Sequence, residues 1–287
     1  WDTITGIYLP KTVNFISGFF LVYLFGCIQA QIYSKSGAAI CIANSIVGLF
    51  NIDTLSQQKK QILTMIVITL IGTVLAYGGI IVTVVIILLY PIALSILERA
   101  DIPKKFVLGL LASGTFTFAL TGPGSPQMTN IVAMNYLGTS STAGLVAGVL
   151  GSIAELIVMI VIMNTLINKA RKNGEHFCYH ELDEVYDSAQ ETPSFLLSVI
   201  PLAVVFVLFA FVKVKIELAL AVSSLLSIAL FYKYLKKDGI QATLNTGAIN
   251  SISPVFTVGV VIGFAGVVSS TDAFMGIAST SVRSLVR

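Results

Sequence analysis

Apolar runs long enough to cross a bilayer recur along this chain. An α-helix needs about 20 such residues to span the hydrocarbon core. The runs lie at residues 15–33, 61–97, 106–135, 143–167, 195–212, 216–232 and 252–269. A shorter run at 37–50 reads as an interfacial or partly inserted helix. Of the 287 residues, 56% are hydrophobic and 11% charged, whereas a soluble domain carries about a quarter charged. A water-exposed globule of this size could not hide that much apolar surface. Disorder, collagen-like repeats and coiled coil fall on the same ground. The fold class is all-α and polytopic, a membrane protein.

The 17 basic and 14 acidic residues give a net charge of +3, too little for a nucleic-acid surface. Position carries more information than sum. Lys59 and Lys60 precede the long run, and Arg99, Lys104 and Lys105 follow it. Lys169, Arg171 and Lys172 follow the run at 143–167, and Lys233, Lys236 and Lys237 the run at 216–232. The other loops are poor in basic residues, with Lys213 and Lys215 as exceptions. Lys/Arg-rich loops stay cytoplasmic, so these loops are expected there. Cys27, Cys41 and Cys178 show no metal or disulfide spacing and read as small hydrophobes. With Trp1 first and an apolar stretch last, the chain is expected to be a fragment.

Residues 61–97 have basic flanks on both sides, so the segment must enter the membrane and return. Its midpoint is Tyr77-Gly78-Gly79, where two glycines permit a tight reversal. Each half holds about 17 residues, the minimum for a span. A re-entrant hairpin and two short full spans both fit. In the next run, Thr121-Gly122-Pro123-Gly124-Ser125-Pro126-Gln127 interrupts the helix, because proline removes a donor and glycine weakens helix. Unwound backbone at membrane depth is tolerated only against protein or a water-filled cavity, and such broken helices mark transporter binding sites. Ser125, Gln127, Thr129 and Asn130 place hydroxyl and amide groups at the break.

No Lys or Arg lies inside an apolar run. Helix N-termini, with free N–H groups and partial positive charge, are the available anion partners. One begins near Gln127 and another near Gly79. Glu155, in the middle of the run at 143–167, is the candidate for proton coupling, since an intramembrane carboxylate is a functional candidate by default. His176 and His180, with Glu175, Glu181, Asp183 and Glu184, read as a solvated loop of mixed charge rather than a metal site.

Taken together, these segments resemble the gluconate permease (GntP) family of the ion transporter superfamily. The matching pieces are Tyr77-Gly78-Gly79, Tyr90-Pro91-Ile92-Ala93, Ala100-Asp101-Ile102-Pro103-Lys104, and Gly122 through Gln127 with Asn130 and Gly138-Thr139. Ala170-Arg171-Lys172-Asn173-Gly174-Glu175 and Gly263-Phe264-Ala265-Gly266 add to them. The resemblance implies an inverted-repeat secondary transporter that moves gluconate or a related sugar acid with protons. It also implies a multi-pass homodimer in the cytoplasmic (inner) membrane, whose partners are the lipid bilayer, a small organic anion and the proton.

It further implies a re-entrant hairpin and a broken transmembrane helix in each repeat. Residues 1–60 would then be a scaffold span with an interfacial helix, 61–97 the hairpin, and 98–168 the broken helix with its following span. Residues 169–193 form a cytoplasmic loop, and 194–287 hold scaffold spans and the start of a second repeat. Phe25-Gly26 through Ala38-Ala39-Ile40 echoes Phe264 through 273–277 in support of that start. Half of the binding site would lie outside this sequence.

The expected substrate-binding residues are Tyr77, Gly78, Gly79, Thr121, Gly122, Gly124, Ser125, Gln127 and Asn130. Thr121, Ser125, Gln127 and Asn130 would bond substrate hydroxyls. No cofactor, catalytic residue or metal ligand is expected. A transporter of another organic anion with a different coupling ion is the runner-up, followed by a channel or scaffold. An enzyme would need a nucleophile–base pair or metal ligands within the bilayer, and the spans carry no such arrangement.

Overall fold

The computed structural model describes residues 1–49, 55–180, 191–235, 239–274 and 276. Phe50, Glu181, Asp183, Glu184, Lys236, Lys237 and the end of the segment at 273–277 lie outside the described residues, with the expectations attached to them. A π-turn at Ile4–Tyr8 leads into α1 (Leu9–Lys35), followed by α2 (Ala38–Gly48). The hairpin arms are α3 (Gln57–Tyr77) and α4 (Val82–Arg99). Then come α5 (Val107–Thr121), α6 (Met128–Leu137) and α7 (Leu145–Lys172). The last three are α8 (Phe195–Phe206, continued by a π-turn at Val207–Phe211), α9 (Ile216–Leu235) and α10 (Ile240–Ser269). No strand occurs among the described residues, and five helices among them are long and apolar enough to cross a membrane. The protein is all-α and polytopic.

α2 is not laid along the surface. Ala38, Ala39, Ile42, Ala43 and Ile46 recur on one face and are buried, which docks this short helix into the core beside α3 and α8. α10 starts twelve residues before the expected run at 252–269, at Ile240. Residues 240–251 hold Gln, Thr, Asn, Ser and Gly, too polar to register as a span yet compatible with helix once packed. Their packing is a seam with α1. Gly247, Ser251, Val255, Gly259 and Gly263, every fourth residue, are buried. A Cβ on Gly247 would stand 2.7 Å from Ile28 Cα, and one on Gly263 3.0 Å from the Tyr8 carbonyl oxygen. Small residues at such a seam let two backbones approach closely, which is how helices associate where lipid removes the hydrophobic drive.

α1 is tied to α9 by amide–hydroxyl bonds. Gln29 Nε2 donates to Ser223 Oγ (3.0 Å) and Ser227 Oγ (3.1 Å), and Ser224 Oγ donates to Gln29 Oε1 (3.0 Å). Tyr33, fully buried, donates to the Ser198 carbonyl (2.6 Å) and meets Phe231 edge-on.

The two hairpin arms begin and end together, because Gln57 Nε2 at the start of α3 donates to the Ala100 carbonyl just past α4 (2.5 Å). The same end of the bundle holds the chain after α7. Lys105 pairs with Glu175 (2.5 Å), and Asp101 meets His176 Nδ1 (2.9 Å), the Phe177 N–H (3.1 Å) and Arg171 (3.8 Å). Partial burial raises the Asp101 carboxyl, but those hydrogen bonds and the charges of His176 and Arg171 outweigh it and hold the group below its ordinary value. At the other end, Lys213 Nζ donates to Ser141 Oγ (2.9 Å), joining the α8–α9 and α6–α7 connections. The Lys- and Arg-bearing segments at 57–60, 99–105 and 169–175 thus share one end of the molecule.

Candidate functional site

α5 stops at Thr121 because two prolines and two glycines follow within five residues. Proline has no N–H to continue the ladder. Gly124 sits at φ 75, and its N–H donates to the Ser141 carbonyl (2.7 Å). The chain becomes helical again after Gln127, whose extended backbone (ψ 147) caps α6 and whose carbonyl accepts the Asn130 and Ile131 N–H groups (3.0 and 3.1 Å). The hairpin reverses beside this break. Gly79 adopts φ 86, a region open to glycine at little cost, and both Gly78 and Gly79 are buried under Leu202 and Leu220.

One side chain joins the two irregular segments. Gln127 Nε2 donates to the Ala76 carbonyl (2.7 Å) and the Ile80 carbonyl (2.9 Å), while Gln127 Oε1 accepts the Val82 N–H (3.3 Å). The Ile80 carbonyl and the Val82 N–H, which the reversal takes out of helix, are thus satisfied by a single amide, as unwound backbone in a membrane requires. The same amide reinforces the Ala76 carbonyl, already bonded to the Gly79 N–H. Tyr77 adds a second tie, donating to the Pro123 carbonyl (3.2 Å). Gly122 is needed beneath it, since a Cβ there would lie 2.1 Å from the Tyr77 hydroxyl oxygen. Ser125 Oγ donates to the Ala119 carbonyl, which also receives a long bond from Asn130 Nδ2 (3.4 Å).

Thr121 turns the other way. Its Oγ1 donates to Glu155 Oε2 on α7 (2.6 Å). α7 comes close enough because Gly148 faces the break, where a Cβ would meet Pro123 Cδ and the Thr121 carbonyl oxygen at 3.0 Å.

The nine residues expected to bind substrate therefore come together, but their side chains mostly bond neighbouring backbone. Of the side chains expected to meet hydroxyl groups, Ser125 and Gln127 are buried and bonded to backbone, and Thr121 is bonded to Glu155. Of the nine, only Gln127 lines the large cavity beside the break. That cavity has a volume of about 880 Å³, within the ~300–1,000 Å³ of small-molecule sites. Its walls come from α1, the hairpin tip, α5, the start of α6 and one face of α10.

Its polar lining includes Tyr23, Gln31 and Ser34 on α1, Thr129 on α6, and Asn250, Ser253 and Thr257 on α10. None of its lining residues is charged. Met128 and Thr129, the first residues of α6, line it, and a helix start leaves its first N–H groups without intrahelical partners. Sequence reasoning placed Thr129 at the break but missed the others. Their signal was there: 250, 253 and 257 fall on one helical face, as do 23, 27, 30, 31 and 34. No group of three metal-ligating side chains is gathered among the described residues.

A profile described as GntP family permease matches residues 14–232, more than half of the chain. An uncharacterized transporter of Bacillus subtilis, YxjC, is 32% identical over 174 residues, which cover 60% of this chain and 35% of the relative. An uncharacterized transporter of Haemophilus influenzae is 24% identical over 263 residues, covering 90% of this chain and 57% of the relative. The chain thus spans between a third and three fifths of the length of these relatives. No solved structure matches.

Proposed function

The chain belongs to the GntP permease family, and on that premise we propose that it forms part of a secondary active transporter for gluconate or a related hydroxy acid, driven by protons. It is a multi-pass protein of the inner membrane. The observation that carries the substrate reading is the uncharged cavity at the start of α6, mostly apolar but with a set of polar side chains in its wall. A carboxylate there meets the free N–H groups of Met128 and Thr129 and the positive end of the helix dipole, each favourable to an anion. With no ammonium or guanidinium in the wall, the anion is held by dipoles rather than by a point charge.

Tyr77, Gly78, Gly79, Gly122, Gly124, Ser125, Gln127 and Asn130 act in this reading as the frame that fixes the hairpin tip and aims α6 at the cavity. Residues 61–97 are the re-entrant hairpin, and the Lys/Arg-rich end of the molecule is cytoplasmic. The transporter works as a homodimer. Glu155 carries the coupling proton, since an intramembrane carboxylate bonded to the end of a broken helix joins protonation to the geometry of the break.

Uptake of labelled gluconate into vesicles bearing the complete transporter tests the function. Accumulation that collapses when the proton gradient is dissipated, and that sugar acids compete, is the expected result. Absence of gradient-dependent uptake for every acid of a panel would overturn it. Glu155→Gln should cut gradient-driven accumulation at least tenfold while gluconate exchange across the membrane persists. Accumulation at the wild-type level in that variant removes Glu155 from the coupling role.

A further inference from the structure

The side chains of the cavity wall differ from other polar side chains of the same helix in what they bond. On α10, Thr243, Thr246, Ser251 and Ser269 each donate back to a carbonyl three or four residues earlier. This is the ordinary way for a hydroxyl to be satisfied within an apolar helix. Ser253 and Thr257 do not, and neither they nor Asn250 has a hydrogen-bond partner among the described residues. All three are exposed to the cavity. Pro254, inside α10 and between them, has no N–H to give the Asn250 carbonyl, so a fourth acceptor is freed on the same face. On the neighbouring α1, Gln31 and Ser34 likewise have no side-chain partner among the described residues.

One part of the cavity wall is therefore the start of α6, and the α10 part carries free amide, hydroxyl and carbonyl groups set about one helical turn apart. The α10 face is anchored, because its neighbouring face is the glycine seam with α1.

Resting on the proposed hydroxy-acid transport, we infer that Asn250, Ser253 and Thr257, with the freed Asn250 carbonyl and with Gln31 and Ser34, form the surface that reads the hydroxyl groups of the substrate's carbon chain. The ligand class is an extended polyhydroxylated monocarboxylate. Its carboxylate lies at α6, and successive hydroxyls alternate as donor and acceptor along α10. A hydroxyl pairs with both the carbonyl and the amide chemistry of this wall, whereas an apolar acid of the same length leaves those groups unpaired. Sites built on such groups discriminate strongly against ligands that lack them. The residues at the break, whose polar groups are already bonded, set the position of the carboxylate and leave chain length and hydroxylation to α10.

The test compares gluconate with glycerate, a short hydroxy acid that can occupy the carboxylate end alone. Half-saturation of labelled gluconate uptake and competition by glycerate are measured for wild type, Asn250→Ala, Ser253→Ala and Thr257→Val in vesicles of equal transporter content. Wild type should favour gluconate over glycerate. Each variant should reduce that preference roughly three- to tenfold, the effect of losing one hydrogen bond, with glycerate shifted less than twofold. Variants that lower both acids equally, or keep the wild-type preference, overturn the inference. Ser253→Ala removes only one oxygen, so it reads the preference even where a larger change disturbs packing. A wild type that handles neither acid overturns the functional reading itself, an outcome distinct from an unchanged preference.

Discussion

At the scale of single residues, Gln127 shows how far polarity in a sequence can be read. A glutamine in a proline–glycine break is visible as a polar group at membrane depth, and it marks the right place. Whether its amide faces a ligand or the backbone depends on the hairpin tip, 45 to 51 residues away in the chain, and no local pattern encodes that. Thr129, two residues on, has similar polarity and lines the cavity without a bonded partner. Gln127→Ala should leave the buried Ile80 carbonyl and the Val82 N–H unpaired and take one of its donors from the Ala76 carbonyl, costing about 1–3 kcal/mol for each group left unsatisfied. Thermal unfolding of the purified protein would read this as a clear loss of stability, and a variant as stable as wild type would remove the clasp role. Gly79→Ala is expected to be damaging for a different reason. It forces a side chain into φ 86 and sets a Cβ 2.4 Å from Leu220 Cδ2, a strain of about 1–3 kcal/mol before any repacking.

At the scale of elements, runs of apolar residues revealed the long helices because each is uniform in hydropathy. They did not reveal the first three turns of α10, where polar residues and a glycine are buried against α1 instead of lipid. α2 was visible as a short run, but its docking into the core depends on contacts with α3 and α8 that its own eleven residues do not specify. The joint between the α4–α5 connection and the chain after α7 was also invisible, since Asp101 and His176 are 75 residues apart.

That joint makes a pH prediction. The folded protein holds the Asp101 carboxyl below its ordinary value of 3.8. Its contribution is complete above that value and is lost as pH falls through the lower folded one. The stability difference between wild type and Asp101→Asn should shrink toward zero as pH falls through that lower value in strong acid. Because the carboxylate is partly exposed, the difference should be about 1 kcal/mol at most. A difference that persists undiminished in strong acid contradicts the pairing.

At the scale of the whole molecule, charge placement in the sequence carried the most information. The basic segments at 57–60, 99–105 and 169–175 are gathered by the fold at one end, with the connections at 138–144 and 212–215 at the other. Cysteines introduced as Ser141→Cys and Glu175→Cys should react with a membrane-impermeant reagent from opposite sides of sealed vesicles. Labelling of both from one side contradicts the arrangement.

The clasp at Gln127 has a mechanical consequence on this scale. A side chain that bonds the strand of one irregular segment to both shoulders of the other leaves no relative degree of freedom between them. In the proposed transport cycle, the hairpin tip and the interrupted helix are expected to move together. The cavity lies between that joined unit and the α1–α10 seam, so any movement of the unit reshapes the cavity.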